Sequence, residues 1–190
     1  MADDGRAALR RELRAARRAV DETARAAAAV ALVAQLARLG LPRPGARIAA
    51  YLPLDGEIDP SAVLARARAR RCAIHLPVIT DWRSRRMRLV PEAELFRRPV
   101  PDDSARWLDL VLVPLVAFDA GGNRLGMGAG FYDRHFAFLR ARRAWRRPRL
   151  LGLGFELQRV TALAPAPHDV PLWGVVTERA VYGAAARCLD

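Results

Sequence analysis

Apolar residues recur at helical spacing between residues 5 and 39, where Leu9, Leu13, Val20, Val30, Val33 and Leu36 stand out from a background of alanine and arginine. The pattern predicts one long amphipathic helix, or two with a break near Asp21, stopped by Gly40 and Pro42. The period then shortens. RIAAYL (47–52) reads as a buried strand, PLDGEID (53–59) as a turn, and Asp59 followed by Pro60 as the cap and first position of a helix reaching about Arg71. CAIHLPVI (72–79) and MRLVP (87–91) read as short strands on either side of an arginine-rich turn, and residues 92–108 as an irregular loop marked by Pro99 and Pro101.

The clearest strand is DLVLVPLVAF (109–118), because a near-continuous β-branched run suits a parallel strand covered on both faces. FDAGGN turns the chain, FYDRHFAFLRAR (131–142) reads as a helix, RLLGLGF (149–155) as a strand and WGVVTE (173–178) as the last strand. Strands alternating with helices predict an α/β fold: a doubly wound, largely parallel sheet flanked by helices, with a long N-terminal helix. No internal repeat or long linker interrupts the 190 residues, of which 52% are hydrophobic, so one domain over residues 1–190 is expected.

Composition narrows the function classes. The longest apolar stretch, LVLVPLVAF (110–118), is about half the roughly 18 residues a membrane span requires. The N-terminal segment has no apolar core of a signal peptide, and Asp3, Asp4 and Glu12 disfavour a transit peptide. Cys72 and Cys188 lie far apart, without the pairing of a disulfide framework or a thiolate zinc site. A soluble, cytoplasmic monomer with reduced thiols and no membrane partner is expected. The net charge of +12 invites a nucleic-acid reading, yet all 32 basic residues are arginine, spread along the chain with few interleaved aromatics. A generally basic surface is the simpler account, and smaller anions remain natural partners.

One segment carries chemistry. In NRLGMGAGFYDR (123–134), Gly126, Gly128 and Gly130 alternate with Leu125, Met127 and Ala129 directly after the strongest strand. Ligands of open α/β sheets bind beyond the carboxyl ends of the strands. Glycine reaches positive φ cheaply and lets a ligand approach the main chain, so such a loop can aim several amides at one phosphate. Asp133 could hold a magnesium ion bridging phosphate oxygens. The segment is neither a dinucleotide fingerprint nor a Walker loop, and a plain glycine-rich turn with a helix-stabilising acid is the alternative. His75, His135 and His168 share no metal-ligand spacing, and Ser61, Ser84 and Ser104 lack the setting of a nucleophile.

NRLGMGAGFYDR, preceded by DLVLVPLVAFD, resembles the hallmark segment of the 5-formyltetrahydrofolate cyclo-ligase (5,10-methenyltetrahydrofolate synthetase) family. Three further segments match in the family's order: a basic residue followed after two others by Leu-Arg (Arg6 to Arg10), PLDGEID, and LGLGFELQRV with PHDVPLWGVVTE. The resemblance implies an ATP- and magnesium-dependent enzyme that closes 5-formyltetrahydrofolate to 5,10-methenyltetrahydrofolate, releasing ADP and phosphate. It implies that Arg6, Arg10 and the stretch Arg124, Leu125, Gly126, Met127, Gly128, Ala129, Gly130, Phe131 and Tyr132 bind ATP, with Arg124 and Tyr132 catalytic. Leu52, Glu57, Met127, Phe131 and Tyr132 would meet the folate, and Asp133 and Asp169 the magnesium. The chain departs from the family in having Arg6 for a lysine, Ala129 for a basic residue and Trp173 for an acid, and in lacking the family's proline-rich substrate segment within 92–108. A relative that keeps the phosphate cradle without folate chemistry, and a basic RNA-binding module, are the alternatives.

Overall fold

The structure, a computed structural model, describes residues 3–100, 105–142 and 147–189; Pro101 and Ser104 lie outside the described residues. The N-terminal helical region is two helices, α1 (Asp3–Arg18) and α2 (Glu22–Arg38). The break near Asp21 is a capping event: its backbone is extended and its carboxylate accepts the Ala24 amide at 2.8 Å, which starts α2 afresh.

The strands are β1 (Arg47–Ala49), β2 (Ala73–Asp81), β3 (Arg86–Pro91), β4 (Leu110–Pro114), β5 (Ala117–Phe118), β6 (Arg124–Leu125), β7 (Arg149–Leu153), β8 (Gly174–Val176) and β9 (Val181–Gly183). Seven form one sheet in the order β3-β2-β1-β4-β7-β8-β9. Its centre is parallel, from β2 through β8, and each edge is an antiparallel strand, β3 and β9. The chain starts near the middle and winds outward in both directions, as expected for a doubly wound sheet.

Alternation along the strands separates two cores. Ile48, Ala50, Leu110, Leu112 and Leu151 face α2 and α3 (Ser61–Ala69), whereas Ala49, Val111, Val113 and Leu150 face the segment holding α4 (Phe131–His135) and α5 (Phe138–Ala141). α1 covers neither face. Its Leu9 and Leu13 pack on Val116, Ala117 and Leu125 beyond the end of β4, which brings its remaining side chains to the carboxyl ends of the parallel strands.

Four expectations are corrected. The 109–118 run is two strands, because β4 ends with its neighbour at the Pro114–Leu153 pairing and the chain then bends, so that β5 pairs with β6. The apolar character continues through the bend because β5 is buried beneath α1. The single helix expected over 131–142 is two short ones, since Phe136 closes α4 and drops fully into the core. WGVVTE is not the last strand: Thr177 accepts the Arg179 and Ala180 amides at 3.1 and 3.0 Å, reversing the chain into β9. Asp59 acts one residue early, accepting the Ser61 amide at 2.8 Å while Pro60 takes the cap position.

Candidate active site

The site begins with a row of arginines on α1. At helical spacing from Leu13, Arg17 falls on the stripe that Leu9 and Leu13 bury, and it is completely buried. It donates to the Asp55 carbonyl at 3.0 Å, the Leu115 carbonyl at 3.2 Å and the Asp55 carboxylate at 3.2 Å, and lies 3.9 Å from Glu57. Arg14, at 2.6 Å, and Arg18 also hold Asp55, which adopts a left-handed φ of 54°. Although burial pushes Asp55 upward, hydrogen bonds from Arg14 and Arg18 hold its carboxyl below the ordinary range. The 53–59 turn is thereby clamped to α1 and to the end of β4.

Two and three turns before Arg17 on α1 stand Arg10 and Arg6. Arg10 Nε donates to the Gly126 carbonyl at 2.9 Å, and Arg6 lies 3.5 Å from Asp169. The glycine loop beneath them is open: a Cβ at Gly126 would meet nothing within 4 Å, and the nearest atoms to one at Gly128 are those of the Arg10 guanidinium, at 3.7 Å and beyond. Gly128 and Gly130 have φ of 96° and 68°, and Gly130 leads into α4. Because α4 is only five residues long, the loop amides and guanidiniums, not a helix dipole, supply the positive field. Arg10 and Arg134, whose Nε is 4.0 Å from a Cβ at Gly130, flank the position where Ala129 carries no charge.

Behind the loop, Arg124 is nearly buried and donates to the Val170 carbonyl at 2.5 Å and to Asp133. Asp133 also accepts the Val170 amide at 3.0 Å, which places it beside Asp169. Both contacts of Asp133 among the described residues use Oδ1, leaving Oδ2 for a cation. Among the described residues no three His, Cys, Asp or Glu groups cluster as a metal site. The neighbouring Asp169 carboxylate accepts the Ala166 amide at 2.7 Å, and carboxylate oxygens such as these are the donors magnesium takes.

Glu57 lies across from the loop, its side chain 8% exposed and accepting the Leu54 amide at 3.2 Å. Burial raises its carboxyl above the ordinary glutamate range, against the Leu54 amide and Arg17. Burial first, and the Glu57 charge second, push the Tyr51 and Tyr132 phenols upward, so Glu57 is within electrostatic reach of both. Leu52 and Met127 are exposed, and Phe131 meets the Trp82 ring edge-on at 5.5 Å.

Other residues fall elsewhere. Trp173 lies at the amino ends of the strands, its amide bonded to Leu150 and its ring beneath Arg149 at 4.4 Å, so a site acid has no counterpart there. His75 is buried in β2, His135 packs edge-on against Phe136 at 4.9 Å, and His168 is exposed. A groove of about 600 Å³ between α2 and the 155–157 and 178–179 segments contains none of the expected site residues. Sequence reading missed Arg17 and Trp82. An arginine on an apolar helical stripe was the available signal for the first; an exposed turn tryptophan gave none for the second.

A model of the 5-formyltetrahydrofolate cyclo-ligase family matches residues 2–178. The chain belongs to this family. The 5-formyltetrahydrofolate cyclo-ligase of Mycolicibacterium smegmatis is 31% identical over 94% of this chain and 96% of its own, and that of Haemophilus influenzae 31% identical over 70% and 76%. The 5,10-methenyltetrahydrofolate synthetase structure from Mycoplasma pneumoniae superposes with a TM-score of 0.75 at 20% identity, covering 92% of this chain and 99% of its own. The Aquifex aeolicus synthetase gives 0.73 at 24% identity, covering 94% and 92%. These two carry the fold. As a cyclo-ligase family member the chain is a ligase that converts 5-formyltetrahydrofolate to 5,10-methenyltetrahydrofolate. Among the described residues no helix is long and apolar enough to cross a membrane.

Proposed function

We propose that the reaction runs with MgATP in the cleft between α1, the glycine loop and the 53–59 turn. The observation that carries this reading is the convergence of three distant segments: Arg10 of α1 on Gly126, Arg6 of α1 on Asp169, and Arg124 and Val170 on Asp133. Arg6, Arg10 and Arg124 neutralise the triphosphate while the amides of 125–130 orient it. The formyl group of the substrate is an amide on N5, and its oxygen is a poor leaving group. Transfer of the γ-phosphoryl group to that oxygen makes it a good one; N10 then attacks the formyl carbon and phosphate departs. Such transfer depends on alignment and charge neutralisation, which arginines and main-chain amides supply. Asp133 and Asp169 would hold the magnesium, which would offset phosphate charge. Glu57 accepts hydrogen bonds from the pterin NH groups, with Tyr132, Phe131, Met127 and Leu52 around the ring.

The direct test follows the absorbance of 5,10-methenyltetrahydrofolate with purified protein, 5-formyltetrahydrofolate and MgATP. Product is expected only when both ATP and magnesium are present; product without ATP would sink the mechanism. A second outcome concerns Glu57. Because burial raises its pKa, protonation on acidification begins at higher pH than for an exposed glutamate, so the kcat/KM for folate is expected to fall on the acid side. Glu57→Gln is expected to raise the folate KM about tenfold, the scale of one hydrogen bond to a charged group, and to remove that acid limb. An unchanged pH profile in the variant would take Glu57 out of the substrate site.

A further inference from the structure

Where Glu57 points is set by the peptide just before it. Asp55 and Gly56 have φ of 54° and 74°, and the Glu57 amide donates to the Leu54 carbonyl at 3.0 Å. Two successive positive φ angles mark a type I′ turn, which an Asp-Gly pair suits. Arg14, Arg17 and Arg18 of α1 hold its Asp55 corner. The Gly56 corner is held from a different helix.

Arg25, near the start of α2, donates from Nη1 to the Gly56 carbonyl at 2.8 Å. Its other donors meet the Arg17 carbonyl at 2.6 Å, the Arg18 carbonyl at 3.2 Å and the Val20 carbonyl at 2.9 Å. Every one of these acceptors is main chain. The Arg17 and Arg18 carbonyls close α1, where a helix leaves its last carbonyls unpaired and its dipole favours a cation. The guanidinium also lies 5.9 Å from the centre of the buried Phe155 ring, just beyond β7. One side chain therefore ties together the end of α1, the start of α2, the chain after β7 and the 53–59 turn. The fit is close on the turn's side: a Cβ at Gly56 would stand 3.1 and 3.3 Å from the two Arg25 Nη atoms.

The effect falls on one peptide plane. Arg17 fixes the Asp55–Gly56 peptide through the Asp55 carbonyl, at 3.0 Å. In the next peptide, Gly56–Glu57, the oxygen is fixed by Arg25 and the N–H by Leu54, so that plane cannot turn without breaking one bond or the other. Turning it would swing the Glu57 Cα and redirect the carboxylate.

We propose that Arg25 is a positioning residue for folate: by holding the Gly56 carbonyl it aims the Glu57 carboxylate at the pterin, without contacting the substrate itself. The inference rests on Glu57 as a folate contact and extends the folate site to α2, a helix that carries none of its contact residues.

The test pairs each substitution with Glu57→Gln. In Arg25→Met, which keeps an apolar stem and removes every donor, the folate KM is expected to rise about fivefold, the scale of one lost hydrogen bond, while kcat and the ATP KM stay within about twofold. The acid limb of kcat/KM for folate should also move to lower pH. A loosened Glu57 carboxyl gains water, so the rise that burial imposes on its pKa diminishes, whereas Arg17, Asp55, Tyr51 and Tyr132, the other titratable groups coupled to Glu57, are unaltered by the substitution. Gly56→Ala presses on the same guanidinium from the turn's side and is expected to raise the folate KM similarly, so the contact can be tested even if Arg25→Met fails to fold. Placed on Glu57→Gln, either change is expected to add less than about twofold to the folate KM, because the group it positions is gone. An equal rise with and without Glu57, or an unchanged folate KM in both single variants, would overturn the positioning role alone. If Glu57→Gln itself left the folate KM and the pH profile unchanged, the folate reading of the turn would fall instead.

Discussion

Gly128→Val is expected to lower kcat/KM for ATP by about 100- to 1,000-fold, the scale on which one misplaced anion-binding donor acts, while the melting temperature moves by only about 3 °C or less. The reason is torsional. At φ of 96° a β-branched residue is strained, whereas the space beside it is free, since the nearest atom to an added Cβ is the Arg10 guanidinium carbon at 3.7 Å. The loop would therefore relax to another φ, and the amides on both sides of residue 128 would turn away from the phosphates. Since the atoms nearest to an added Cβ belong to the half-exposed Arg10 side chain and not to the core, the cost should stay in the site. Nucleotide titration and initial rates check this, with thermal unfolding as the control for folding. A folded Gly128→Val enzyme with wild-type ATP kinetics would place the triphosphate somewhere other than this loop.

The largest stability effect is expected at Arg17. Its guanidinium is completely buried and joins α1 to Asp55, to Glu57 and to the Leu115 carbonyl just past β4. Burial lowers its pKa from the ordinary arginine value, but Glu57 and Asp55 oppose the shift and keep it charged. Arg17→Leu keeps an apolar side chain under the helix yet leaves Glu57 buried without its cation, a loss of about 3–5 kcal/mol. In a chain of this size that corresponds to a drop of roughly 10 °C in melting temperature. Arg18 touches the same Asp55 but is more than half exposed, so Arg18→Ala should cost at most about 1 kcal/mol. Equal melting temperatures for the two variants would show that the buried clamp contributes no more than a surface pair. The clamp also predicts that folate KM suffers in Arg17→Leu even at temperatures where the protein is folded, because the turn it fixes carries Glu57.

Much of the sheet could be read directly. β1, β2, β3, β4 and β7 each announce themselves as short apolar runs, and the alternation of helices between them specifies parallel pairing. Less legible was anything decided by how far a strand continues. Leu115 to Phe118 are as apolar as β4, and only the packing of Leu9 and Leu13 of α1 on them reveals a bend into a second ribbon. Likewise α4 and α5 share one helical pattern, broken because Phe136 is drawn into the core between them.

For the candidate site, local chemistry was visible and company was not. Alternating glycines announce a loop with a main-chain role, and their spacing needs no neighbour to be recognised. That Arg10 lies over Gly128, that Asp133 is shared by Arg124 and Val170, or that Trp82 meets Phe131 depends on segments far apart in the chain. Arg17 shows the limit most clearly: by residue type it is a surface charge, and by helical position a core residue.

The amino-acid order by itself determined most of the central strands and the long helices, where the chain must turn, and that one loop leaves its main chain bare, because each of these follows from the preferences of neighbouring residues. Only the tertiary structure decided which arginines face that loop, which carboxylate is held buried beside them and which aromatic ring closes the rim. Those choices arise when strand order brings distant segments to one edge of the sheet, and no local pattern encodes strand order.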